Sequence, residues 1–191
     1  MSRWWWLAAA GLTVLSLAVP RDLVRPGAST ALLLSAAWIW PILIWSRLGT
    51  QRRENGLDSL LGAYPGVGRQ LAAEWLAGLA LTVMLGLGPL LSMIIARDGA
   101  GAAAWAGGAL FIPSLALLLG TVSGTHRVFQ VLYLILWYAV VNHVAAADYM
   151  GTVLVHGRPA GPGPGPGLVA GAGVGMAGLT FAVRWARHAA R

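Results

Sequence analysis

Four histidines, six carboxylates and no cysteine limit the chemistry open to this 191-residue chain. Zinc-dependent hydrolysis asks for two His on one helix face with a Glu beside them, whereas His126, His143, His156 and His188 are scattered and never take the H-E-x-x-H spacing. No metal site is expected. ATP hydrolysis asks for a phosphate-cradling G-x-x-x-x-G-K-[ST] loop. The nearest stretch, GAYPGVGRQ from Gly62 to Gln70, has the wrong Gly spacing and no Lys. An intramembrane serine protease asks for G-x-S-G and a buried His, but Thr121-Val122-Ser123-Gly124 lacks the first Gly. With no Cys, thiolate catalysis and disulfides are excluded. No catalytic residue and no cofactor are assigned, and the chain reads as a non-enzyme. The remaining polar candidates are Glu74, Asn142, His143 and Asp148, which border long apolar stretches. They read as helix-end anchors, with gating on either side of a membrane as the alternative. Asn142, placed inside a span, would seek a partner on another helix.

The elements that must position these residues are apolar. Residues of the hydrophobic class make up 58% of the chain and charged residues only 10%, against about a quarter charged in an average soluble domain. Six stretches free of Asp, Glu and Arg run over about 4–19, 28–45, 75–96, 102–120, 128–147 and 167–183. A bilayer core takes about 20 apolar residues per helix, so six transmembrane helices are expected. No acid lies deep in a stretch, which argues against a proton-coupled carrier. Pro41, Pro89 and Pro113 fall inside stretches, where each removes a backbone donor and can bend the helix. Gly171, Gly175 and Gly178 line one face of the last stretch. The segment 157–167, GRPAGPGPGPG, reads as an external linker that forms neither helix nor sheet.

All thirteen basic residues are Arg, and they cluster at the ends of the apolar stretches, where they meet lipid headgroups rather than nucleic acid. With the N-terminus in the cytoplasm, nine Arg (3, 47, 52, 53, 69, 127, 184, 187, 191) lie inside and four (21, 25, 97, 158) outside. That asymmetry predicts a multi-pass protein of the cell membrane with both termini cytoplasmic. Trp4, Trp5, Trp6, Trp45, Trp75 and Trp185 fall at the same inner interface. The alternative for the first stretch is a signal peptide cleaved after Ser16-Leu17-Ala18.

The loop 46–70 between the second and third stretches has its own pattern. Leu57, Leu60, Leu61 and Tyr64 recur at helical spacing, and Pro65-Gly66 ends the run. A short amphipathic helix is predicted, covering either the headgroup layer or a groove on a cytoplasmic partner.

The stretch Arg47–Gly151 resembles the membrane subunit of an ATP-binding-cassette exporter of the second type. The likeness rests on WSRLGTQRRENGLDSLL, RQLAAEWLAG, GALFIPSLALLLGTVSGTHRVFQVLYLILWY and NHVAAADYMG, just over half of the chain. Related permeases continue after LWY with a Gly-Pro-Asn turn, where this chain reads AVVNHVAAADYMG, and they carry a structured external helix where this chain is Pro- and Gly-rich. The resemblance implies one all-α integral membrane domain over 1–191, with a coupling helix at 50–64 that docks on a separate ATPase. Arg53, Glu54, Leu57, Leu60, Leu61 and Tyr64 would carry that contact. It also implies pairing with a second permease half, as a homodimer or with a related subunit, and export as the direction. A non-transporting membrane scaffold or assembly protein, and less readily an ion-coupled carrier, are the competing functions.

Overall fold

The computed structural model describes residues 3–18, 28–50, 67–152, 154–155, 158–159 and 163–189. Its helices are α1 (Arg3–Ala18), α2 (Ala28–Ile39), α3 (Ile42–Trp45), α4 (Val67–Ile95), α5 (Gly99–Ser123), α6 (His126–Val141) and α7 (Pro166–Ala189). A 3-10 turn, Ala145–Ala147, and a two-residue antiparallel ladder, Leu154–Val155 against Arg158–Pro159, complete the described elements. The expected all-α fold is observed, but the ladder corrects the expectation that 157–167 forms no sheet.

The six-span expectation is overturned. Three helices among the described residues are long and apolar enough to cross a membrane: Gly68–Ile95, Gly99–Ser123 and Pro166–Arg187. The physical reasons lie at the helix ends. Pro41 has no N–H to donate and crowds the carbonyl one turn back, so the second stretch breaks into the 12 residues of α2 and the four of α3. At about 1.5 Å per residue, α2 is only about 18 Å long, well short of a core about 30 Å thick. α1 covers 16 described residues, under the roughly 17–25 of a span. α6 stops after 16, because His143 takes the left-handed conformation (φ 62°). There His143 N–H bonds Val140 O at 2.9 Å and Val144 N–H bonds Ala139 O at 2.9 Å, the paired bonds of a Schellman stop. The same device ends α4 at Arg97 (φ 58°), whose N–H reaches Ile94 O while that of Asp98 reaches Met93 O.

The helices that do run long are well started. Asp98 caps α5 by accepting the Gly101 N–H at 2.8 Å, and Thr125 caps α6 by accepting the Arg127 N–H at 3.3 Å. Pro166 occupies the first position of α7, where a missing donor costs nothing. Pro89 and Pro113 are carried inside α4 and α5 without ending either.

α5 is the central helix, more than half buried over its most apolar window, and α7 packs along it. Gly173 makes that approach close, since a Cβ there would stand 3.1 Å from the backbone at Leu110 and Phe111. The interior is aromatic: Phe129 stacks on Tyr133 at 5.3 Å, Trp45 meets Tyr133 edge-on at 5.8 Å, and Phe111 stacks on Tyr149 at 5.5 Å. Trp45, expected at an interface, is fully buried, and Trp75 turns inward to donate to Ser114 Oγ at 2.9 Å. Trp185 is 75% exposed, as an interfacial anchor would be.

Outside this core the surface is greasy. Leu76, Met84, Ile94 and Ile95 on α4 and Leu168, Val174 and Leu179 on α7 are exposed, and only 17% of the α7 window is buried. A water-soluble monomer rarely leaves so many large apolar side chains uncovered along its long helices. The chain is therefore a small all-α protein with long apolar helices, fitted to a membrane.

Candidate functional site

The turn that follows α3, residues 46–50, is where most of the bundle meets. Gly49 adopts φ 76°, a conformation that penalises any side chain, and a Cβ on it would come within 2.9 Å of both Leu117 O and Thr121 Oγ1. The same helix, α5, presents Gly120, where a Cβ would collide with Leu48 O. Two glycines thus let the turn backbone press on the last turns of α5. On α4, Gly78 accommodates the Leu48 side chain, 2.7 Å from where a Cβ would be.

Polar bonds fasten what these glycines admit. The Gly49 N–H donates to Glu74 Oε2 of α4 at 3.0 Å, and Gly49 O accepts from Arg184 Nη2 of α7 at 3.4 Å. Two residues of opposite charge from two of the long helices therefore hold the two peptide units that flank the Gly49 Cα. Arg187, one turn beyond Arg184, donates from Nη1 to Thr121 O of α5 at 3.0 Å. That carbonyl belongs to the negative end of the helix, where a guanidinium is favoured. Gln130 of α6 donates to Ser46 Oγ at 3.1 Å, and Ser46 Oγ donates to Leu43 O at 3.0 Å. Ser46, Thr50 and Thr121 are buried. Hydrogen bonds to charged groups contribute about 1.5–3 kcal/mol each when well shielded and less at this half-exposed depth.

Of the polar candidates from the sequence, Glu74 joins this cluster and the other three lie at the far end of the bundle. Asn142 and His143 are exposed and form the stop of α6; Asn142 Nδ2 donates to Tyr138 O of its own helix at 2.8 Å, not to a partner helix. Asp148 is buried and organises the following turn, with Oδ1 accepting the N–H of Met150 at 3.2 Å and of Thr152 at 3.0 Å. That turn seats Tyr149 against Phe111 and Tyr133, and burial pushes the Tyr149 hydroxyl well above its ordinary pKa of 10.0. Gly108 of α5 permits the contact, since a Cβ there would lie 2.7 Å from Tyr149 O. The four candidates thus split into one fastening residue, two helix-stop residues and one turn organiser.

Arg53, Glu54, Leu57, Leu60, Leu61 and Tyr64 lie outside the described residues, as does all of the expected 50–64 helix except Thr50, which is a buried turn residue. What sequence reasoning missed is Gly49, Gly120, Thr121, Arg184 and Arg187. The two arginines were legible only as orientation charges, and their i, i+3 spacing on α7 was the available signal that both face one neighbour.

Chemically the cluster holds no nucleophile with an adjacent base, and no group of His, Asp and Glu suited to a metal ion occurs among the described residues. Its bonds instead tie the turn to α4 and α7, and α7 to α5. No family model matches the chain, and no curated protein or solved structure matches it.

Proposed function

We propose that this protein is the membrane subunit of an ATP-driven transporter, working with a separate ATP-hydrolysing subunit and a second permease half, with export as the direction. The observation that carries this reading is the double grip on Gly49 by Glu74 and Arg184. The chain leaves that turn directly into 51–66, the segment whose leucine spacing and resemblance point to a coupling helix at 50–64. A force applied to such a helix would pass to α4 through Glu74 and to α7 through Arg184. In a loop that merely rested on lipid, fastening of this kind would serve no purpose beyond stability. The sequence holds no G-x-x-x-x-G-K-[ST] loop, so in this reading hydrolysis falls to another polypeptide.

Co-expression with candidate ATPases and purification in mild detergent tests the reading. A stable complex that is lost in Leu60→Asp and Leu61→Asp variants is the expected result. An ATPase complex indifferent to those changes, or none with any ATPase tested, would favour a non-transporting membrane scaffold whose loop lies on the headgroup layer. The exposed apolar faces of α4 and α7 suit that second reading equally well.

A further inference from the structure

The two ends of the bundle differ sharply in charge. The end that gathers the 46–50 turn also holds the start of α4, the end of α5, the start of α6 and the end of α7, as the bonds from Glu74, Thr121, Gln130 and Arg187 require. Among described residues it carries Arg47, Arg69, Arg127, Arg184 and Arg187 against the single acid Glu74, which is already engaged by the Gly49 N–H. The opposite end carries Arg97 and Arg158 with Asp98 and Asp148. Arg47, Arg69, Arg127 and Arg187 are exposed. The bond from Arg187 to Thr121 O uses one nitrogen and orients the guanidinium, leaving the rest of its donor fork to the outside.

We infer that this end is a binding surface for anionic phospholipid headgroups, with Arg47, Arg127 and Arg187 as the principal phosphate contacts. Guanidinium matches a phosphate with paired, directed donors, and does so better than ammonium. Apolar side chains that acyl chains would cover are exposed in the same helix turns: Val122 (51%) at the end of α5, Val128 (41%) in the first turn of α6, and Trp185 (75%) in the last turns of α7. Exposed arginines at the helix ends, with exposed apolar side chains and an indole in the same turns, suit a protein surface in contact with a charged leaflet. A soluble phosphate compound would use the arginines but not the apolar side chains. The inference needs only residence in a bilayer and stands apart from the ATPase reading.

The test uses the full chain in an uncharged detergent, titrated with mixed micelles of phosphatidylglycerol or phosphatidylcholine. Binding is followed by quenching of tryptophan fluorescence with brominated acyl chains, and stability by thermal unfolding. Phosphatidylglycerol should bind more tightly and raise the unfolding temperature more, and raised salt should weaken it. Replacing Arg47, Arg127 and Arg187 by Gln should weaken the apparent affinity by about fivefold per arginine, while Arg97→Gln leaves it unchanged. Equal binding of the two lipids, or an undiminished preference in the triple variant, would overturn the inference. So would an equal thermal shift from inorganic phosphate at the same headgroup concentration, which would mark a soluble-anion site. If the triple variant does not fold, the lipid preference and salt sensitivity of the parent chain decide the matter alone.

Discussion

Replacing Gly49 by Ala separates a structural fastening from an incidental turn. Two costs add at this position. A φ of 76° places an L-residue in the left-handed region, at about 1–2 kcal/mol. The new Cβ would sit 2.9 Å from Leu117 O and from Thr121 Oγ1, and one of these neighbours is helix backbone that has little freedom to retreat. Overpacking of that kind costs typically about 1–3 kcal/mol, so the whole substitution is expected to destabilise by about 2–5 kcal/mol. The matched control is Gly175→Ala on the same bundle, where nothing lies within 4 Å of the added methyl and the position is helical. There the change should be neutral or stabilising, by up to about 1 kcal/mol, because Ala is the better helix former. Both variants are compared with the parent by thermal and denaturant unfolding in detergent micelles, followed by tryptophan fluorescence. If Gly49→Ala unfolds with the parent, or if the two glycines respond alike, the turn is not seated against α5 as described.

Other consequences are open to measurement. Glu74→Gln keeps an acceptor for the Gly49 N–H and should cost less than Glu74→Ala, and the ordering Gln above Ala in unfolding midpoint checks that the oxygen matters through this bond. His143→Gly relieves a left-handed non-glycine residue and should stabilise by about 1 kcal/mol, seen as a higher unfolding temperature. Because burial raises the Tyr149 pKa, the unfolded chain releases that proton first as pH climbs past 10.0. Stability should therefore hold below that value and fall above it, and Tyr149→Phe should shallow the fall in a pH series of unfolding midpoints.

Apolar composition made the helical class legible, and the spacing of α5 and α7 placed two of the three long helices nearly in register with their stretches. What hydropathy could not reveal is where a helix stops. Past Asn142 and His143 the sequence resumes with apolar Val144 to Ala147, yet the chain has already turned at His143 through two backbone bonds, a stop set by φ at that residue. Pro41 was visible, but whether a proline bends a helix or ends it depends on its surroundings: Pro89 and Pro113 are absorbed within long helices while Pro41 is not. The polar cluster was half legible. Glu74 stood out because an acid beside an apolar stretch is costly, whereas Arg184 and Arg187 looked like any other charges at a membrane boundary. Their partners are backbone carbonyls at Gly49 and Thr121, which no side-chain pattern announces.

The account rests on lipid covering the exposed flanks of the long helices, and the chain offers a clean way to ask, since it has no native cysteine to interfere. A single Cys at Val174, 61% exposed near the middle of α7, can carry a nitroxide in reconstituted vesicles, with its collisions with oxygen compared with those with a water-soluble nickel chelate. Frequent collisions with oxygen and few with nickel are the predicted result. Ready access for the nickel chelate, matching that of a label at exposed Arg127, would contradict it.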